Sequence, residues 1–277
     1  MIAWIAPRRR PLRSQPLTLA ALSWLGLTLI ATALAPVVAP AGPLAVIPGA
    51  ALEPPQPEYP LGTDGLGRDV LSRLLWGGRE TLLIGGLGLS IAVGLGLTAG
   101  ALAAQVGGWV EAGVMRLADA LLSIPGLLLA LTVTTLLAPG PTSIAIAVGV
   151  AAAPAYARIA RSAILDVLAQ PYIEAARAVG CSPWRITVRH VLPNAASPLI
   201  AFAATQLGWI LLNGAALTFL GLGAPPGSPE WGAMLAEGRD YLRDGPWIST
   251  SPGLALTLTV LSANLIGDGL QESLPRA

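Results

Sequence analysis

The chain has no lysine, one histidine, one cysteine and little charge of either sign. All sixteen basic residues are arginine and the formal net charge is only +1, so no bulk field draws the protein to nucleic acid. Cys181 has no second cysteine for an internal disulfide, and it lacks the clustering of a metal site. His190 is more in keeping with a structural residue than with a ligand. No Ser/His/Asp or paired-carboxylate constellation falls inside an apolar stretch, which argues against an intramembrane hydrolase and leaves no catalytic residue to name. A GxxxxGK[ST] phosphate loop is also missing, so energy from a nucleotide has to come through another chain. Charged residues are 11% of the 277, where a soluble domain carries about 25%.

What fills the space is apolar: 54% hydrophobic residues, with a mean hydropathy of +0.68. After a polar start with Arg8, Arg9, Arg10 and Arg13, residues 17–38 run without a charge. That is enough for the roughly 20 residues that cross a bilayer. A cleaved signal peptide would share the arginine-rich start, but this apolar run is long for one, so a retained first span is expected. Residues 39–60 are rich in proline and alanine and predict an irregular external loop. Residues 61–86 alternate in charge and cannot face hydrocarbon. Asp64 or Thr63 is placed to cap a helix beginning near Gly67. Further spans are expected at 81–104, 120–137, 143–156 (extending to 159 or 160), 195–222 and 248–266, giving six. The glycines of the second span favour close helix packing, and Pro125 either kinks or begins the third. Gln206, Asn213 and Thr218 in the fifth span are either translocation-path residues or interhelical hydrogen-bonding groups.

Between the fourth and fifth spans lies QPYIEAARAVGCSPWRITVRHVLPN, residues 170–194. Pro171 suits the first position of a helix and Gly180 a left-handed stop. Ser182 and Pro183 can start a second helix, which Pro193-Asn194 should break. The spacing therefore predicts helix, glycine elbow, helix. Under an even number of spans, with both ends inside, eleven arginines fall on the inner side and five outside, while acids divide six inside and nine outside. This bias puts the elbow in the cytoplasm. The plain alternative is an amphipathic loop resting on lipid headgroups.

Glu174-Ala175-Ala176, Gly180 and Leu192-Pro193 resemble the EAA loop of bacterial ABC importer permeases, and the wider wording is similar to the dipeptide, oligopeptide and nickel branch. Gly62-Thr63-Asp64, Gly67-Arg68-Asp69 and Ser72-Arg73 look like an external motif of that branch, as does the run from Pro229 to Leu235, while Gly107-Gly108-Trp109, Met115-Arg116, Asp119 and Asn264 to Asp268 are similar to further wording of the same branch. His190 departs from the wider superfamily, which usually has an aliphatic residue there. The resemblance implies an all-α, six-span type I permease bundle in the bacterial inner membrane. Residues 1–60 would hold the N-terminus, first span and external loop, and 61–277 a five-helix core with coupling loop 161–194. It further implies a second homologous permease, two cytoplasmic ATPase subunits or domains that bind the ATP and Mg, and an external solute-binding protein. Glu174, Ala175, Ala176, Arg177, Gly180, Leu192 and Pro193 would couple to the ATPase. The cargo would be small peptides, with a nickel or metal chelate or a glutathione-like solute as the alternative. An ion-coupled secondary transporter and a passive scaffold or channel are the rival classes; the former fits less well because no Asp or Glu lies within a predicted span.

Overall fold

The computed structural model describes residues 15–225 and 227–273. Arg8, Arg9, Arg10, Arg13 and Arg276, counted above as inner-side charges, lie outside the described residues. Helices run in the order α1 Pro16–Ala33, α2 Ala35–Val38, α3 Val70–Val106, α4 Gly108–Leu122, α5 Gly126–Thr135, α6 Pro141–Leu168, α7 Pro171–Ala178, α8 Pro183–Ile186, α9 Leu192–Phe219, α10 Trp231–Gly238 and α11 Trp247–Ser273. A π-helical turn, Thr187–Val191, joins α8 to α9, and a 3-10 turn, Arg239–Tyr241, follows α10. Among the described residues there is no β-strand, only two isolated bridges.

Five helices are long and apolar enough to cross a membrane, and the pair α4 and α5 makes a sixth crossing if its two bent halves count as one span. The bundle is built around α6, whose apolar window is 67% buried and which packs most extensively against α3. Glycine makes that contact possible. A Cβ at Gly96 would stand 2.8 Å from the Ala153 carbonyl oxygen, and one at Gly100 2.4 Å from that of Ala157. Gly86 and Gly94 have nothing within 4 Å, so only some of the expected packing glycines serve helix contact. The first helix lies at the edge against α11 and α3, with Leu17, Leu27 and Ile30 on its open face.

Four local expectations change. The span expected at 120–137 is broken: α4 and α5 meet at 94°, and α4 begins as early as Gly108. Pro125 has the extended backbone of an N-cap and begins α5, and a residue before proline disfavours the helical region, so the chain cannot run straight through Ile124. Across a cleft of 560 Å³ between α4 and α6, Arg158 pairs with Asp119 and Arg161 with Glu111.

Second, Pro193 does not end the helix. Proline at this point cannot donate to the Arg189 carbonyl, and its ring would crowd it. The turn at Thr187–Val191 widens by one residue, Leu192 N–H donates to the Thr187 carbonyl, and the Asn194 side-chain amide donates to the His190 carbonyl at 2.6 Å. The helix then continues into the membrane, so the fifth span starts at Leu192 rather than 195. Third, residues 39–60 keep the irregular backbone expected of them but are fastened down as a strap. Ile47 N–H donates to the Gly67 carbonyl at 3.0 Å and Leu52 N–H to that of Asp64 at 3.0 Å. Finally, α3 begins at Val70, and its cap is Asp69, which accepts from Ser72 N–H at 2.7 Å and Ser72 Oγ at 2.6 Å; Asp64 and Thr63 cap nothing.

Candidate functional site: a glycine elbow and an ion-paired cap

Two clusters of polar residues stand at opposite ends of the bundle. At the end that carries the elbow α6 runs on to Leu168, past the 161 at which the loop was expected to begin, and Pro171 starts α7 two residues after its C-cap. Gly180 then takes φ +81°, a backbone that favours residues without Cβ. Cys181 N–H donates to the Ala176 carbonyl at 3.1 Å and Gly180 N–H to that of Arg177 at 3.0 Å, the paired bonds of a Schellman stop. Ser182 Oγ accepts from Arg185 N–H at 3.4 Å and caps α8, as its position in the sequence indicates.

The elbow has a buried inner face and a bare outer one. Ile173 is fully buried, and it shares a cluster with Ile164 and Val167 of α6, Ile186 and Val191 of the second arm and Leu199 of α9. Full burial of one such side chain is worth about 1.5–3 kcal/mol, so α7 is fixed to the spans through very few residues. Glu174, Ala175, Arg177 and Pro193 are exposed, while Ala176 and Leu192 are half-buried. The His190 ring lies 6.5 Å from that of Tyr172 and bridges the two arms.

At the opposite end Asp64 is the hub. Its carboxylate accepts from Leu66 and Arg68 N–H at 2.9 Å each, from Arg68 Nε at 2.6 Å and from Arg73 Nη1 at 2.7 Å. Glu237 pairs with both arginines, at 2.8 and 2.7 Å, and accepts from Gly227 N–H. Arg73, with no exposed surface, also donates to the Ser228 carbonyl at 3.0 Å. Thr63 is fully buried, its hydroxyl bonded to the Ala50 carbonyl, and Gly62 and Gly67 both have positive φ. The cap can lie flat on α3 because a Cβ at Gly77 would fall 1.7 Å from the Pro229 carbonyl oxygen. Next to it Glu230 is 1% exposed, caps α10 through Ala233 N–H, and accepts from the Thr81 hydroxyl at 2.9 Å. Burial pushes its carboxyl above the usual range, and the bonds from Gly232, Ala233 and Thr81 only partly offset this.

The expected external-motif residues are thus brought together, but no sequence spacing indicates that Arg73 and Glu237 complete the set. Arg73 follows Asp64 by nine positions and Glu237 lies on α10, so their meeting depends on how α10 folds back over α3. The fifth-span candidates do not converge. Gln206 donates to the Ala152 carbonyl of α6 at 3.3 Å, whereas Asn213 and Thr218 bond within their own helix to Trp209 and Gly214 carbonyls.

Residues 96–277 match the family described as binding-protein-dependent transport system inner membrane component. A glutathione transport system permease protein of Pectobacterium atrosepticum is 40% identical, over 80% of this chain and 74% of its own length. The di/tripeptide transport system permease protein of Pseudomonas aeruginosa is 42% identical, over 87% and 81% respectively. Among solved structures, the inward-facing MetNI methionine ABC transporter has a chain of the same fold, with a TM-score of 0.59, 23% identity and coverage of 71% of this chain and 93% of that one. Its helical bundle, its glycine-hinged elbow and these relatives agree: this multi-pass membrane protein belongs to the family of binding-protein-dependent transport system inner membrane components, as an ABC importer permease subunit.

Proposed function

We propose that this chain forms one half of the pathway of an ATP-driven importer of small peptides, paired with a second, homologous permease. Two cytoplasmic ATPase subunits or domains hold the ATP and Mg, and an external binding protein delivers the solute. The peptide class follows the di/tripeptide relative. Both termini lie in the cytoplasm, consistent with the arginine distribution.

The observation that carries this reading is the elbow, a short rigid helix bare on one face and keyed on the other to α6 and α9 through Ile173, Ile186 and Val191. When the ATPases close, they move α7, and the shared cluster passes that motion to both spans. Because α6 packs so closely on α3, the helices move as a body rather than bending. Glu174 accepts from a basic group of the ATPase, the exposed Ala175 lets its surface approach the backbone, and Gly180 lets the lever turn. In the bundle Gln206 holds α9 to α6, which leaves the half-buried Asn213 as the fifth-span group best placed to face a solute.

The test is uptake of a labelled dipeptide into proteoliposomes containing the assembled transporter. Gly180→Val puts a branched residue where φ is +81°, at a cost of about 1–3 kcal/mol. No atom lies within 4 Å of the new Cβ, so the strain is confined to the elbow. The variant should assemble yet lose at least about tenfold in ATP-driven uptake, since about 1.4 kcal/mol is a factor of ten. Normal uptake would refute the lever. Uptake that survives ATP removal but collapses with the ion gradient would mean a secondary transporter. The glutathione relative supports a second cargo, and a large excess of glutathione that blocks dipeptide uptake more strongly than unlabelled dipeptide would favour it.

A further inference from the structure

We infer that the cleft between α4 and α6 is a binding site for an aminophospholipid headgroup, a zwitterion with a primary ammonium close to a phosphodiester. The site stands apart from the importer reading and needs only that this end of α6 meets a membrane surface. Glu111, Met115 and Asp119 recur four residues apart on one face of α4, and Arg158 and Arg161 three apart on α6. The cleft they line holds 560 Å³, a volume typical of small-ligand sites, which run from about 300 to about 1,000 Å³. Gly108 and Ala112 also line it and take up little of that space.

The ion pairs in the cleft use only part of their hydrogen-bonding capacity. Arg161 donates through Nε, at 2.7 Å, and Nη2 to the same Glu111 oxygen, Oε1, and Arg158 donates through Nη2 to Asp119 Oδ1. Glu111 Oε2, Asp119 Oδ2, Arg158 Nη1 and Arg161 Nη1 make no hydrogen bond among the described residues. Arg158 and Asp119 are 54% and 61% exposed, and pairs so open to water hold little energy. A ligand that brings both charges can therefore enter without leaving any charge alone. Its phosphodiester takes the guanidinium forks, and its ammonium, with three N–H donors, takes the carboxylates.

The surroundings favour a lipid over a free zwitterion. About 20 residues cross the hydrocarbon core, and 20 counted from Pro141 end at Ala160. Arg158 and Arg161 thus stand where hydrocarbon gives way to headgroups. Along α4 only Ala118 is buried, while Trp109 is 95% exposed and Leu117 62%. Trp109 suits the interfacial belt, and Leu117 offers acyl chains an apolar surface beside the cleft.

The experiment follows the thermal midpoint of the full chain in mild detergent as dioleoyl phosphatidylethanolamine or dioleoyl phosphatidylcholine is added to the micelles. The choline headgroup has the same charges but no N–H. Wild type should reach half its maximal shift at a fraction of the ethanolamine lipid about fivefold or more below that of the choline lipid. E111Q/D119N should bring the two lipids within about twofold of each other, because uncharged amides no longer attract the ammonium. R158Q/R161Q should weaken the response to both lipids by about fivefold or more, through loss of the phosphodiester's partners. Each comparison of lipids is made within one variant, so a variant that is only less stable still reports it. If E111Q/D119N does not fold, Asp119→Asn at the more exposed pair should at least halve the preference. Equal response of wild type to the two lipids overturns the inference, as does a preference that survives the loss of these carboxylates. Glycylglycine or O-phosphoethanolamine, which have no acyl chains, should leave the lipid response unchanged at millimolar concentration. If either abolishes it, the cleft belongs to a soluble zwitterion and the lipid assignment fails.

Discussion

At the scale of single residues, the ion-paired cap shows how a membrane protein keeps charge near its lipid-soluble core. Asp64, Arg68, Arg73 and Glu237 cancel in sign, and each buried charge has at least one partner within 2.8 Å. Glu230 is different, because hydroxyl and backbone donors surround it but no cation does. Its carboxyl therefore holds a proton in the folded state over a pH range in which the unfolded chain has lost it. With more protons bound when folded, stability rises as pH falls through that range and declines as pH rises. Glu230→Gln keeps the shape without the titration. Thermal unfolding in detergent from about pH 5 to about pH 8 should show wild type losing stability toward the alkaline end relative to the variant, and parallel curves would show that Glu230 does not hold the proton. The sequence placed Pro229-Glu230-Trp231 in an external loop. It could not show that Glu230 turns inward, since that depends on Gly77 and Gly78 letting the loop sink onto α3.

At the scale of elements, spacing did most of the work wherever a helix contacts only itself or solvent. Pro171, Gly180, Ser182 and Pro183 are read from local chemistry, and the elbow follows them. Pro193 shows the limit. Its ring forbids a regular helix, but whether the chain stops or widens into a π turn depends on Val191 and Ala195 being held in a cluster fed by α6 and α7. The glycines of α3 make the same point. Gly94 and Gly100 are alike in sequence, yet one faces open space and the other the backbone of α6. Gly94→Leu should leave assembly within about 0.5 kcal/mol of wild type, as at a surface site. Gly100→Leu should lower the midpoint of thermal unfolding and the yield of assembled transporter, because overpacking costs typically about 1–3 kcal/mol. Equal behaviour of the two variants would mean that the α3 and α6 contact does not hold the bundle together.

For the whole molecule, orientation is the property that gives the elbow its meaning. A C181S background makes the chain cysteine-free, and Arg177→Cys then reports which side of the membrane the elbow occupies. A membrane-impermeant maleimide should label that cysteine only after cells are permeabilised, and labelling of intact cells would invert the topology and remove the elbow from any cytoplasmic ATPase. The count of crossings also belongs to this scale. Hydropathy saw one apolar run at 120–137, while the chain makes a 94° corner at Pro125 and sends α4 back along α6, where the pairs Arg158–Asp119 and Arg161–Glu111 hold it.

By itself the sequence determined that this is a helical membrane protein with an arginine-flanked, glycine-hinged elbow between two spans. Apolar length, arginine bias and the backbone limits of proline and glycine act locally and need no fold to be read. Only the tertiary structure decided which polar groups meet. Arg73 and Glu237 lie 164 residues apart and touch at 2.7 Å, and Ile173 reaches α6 and α9 together. Such contacts depend on helices packed side by side, and which face of a helix meets its neighbour in lipid is set by the fit of small residues against backbone rather than by any periodicity of water-avoiding side chains.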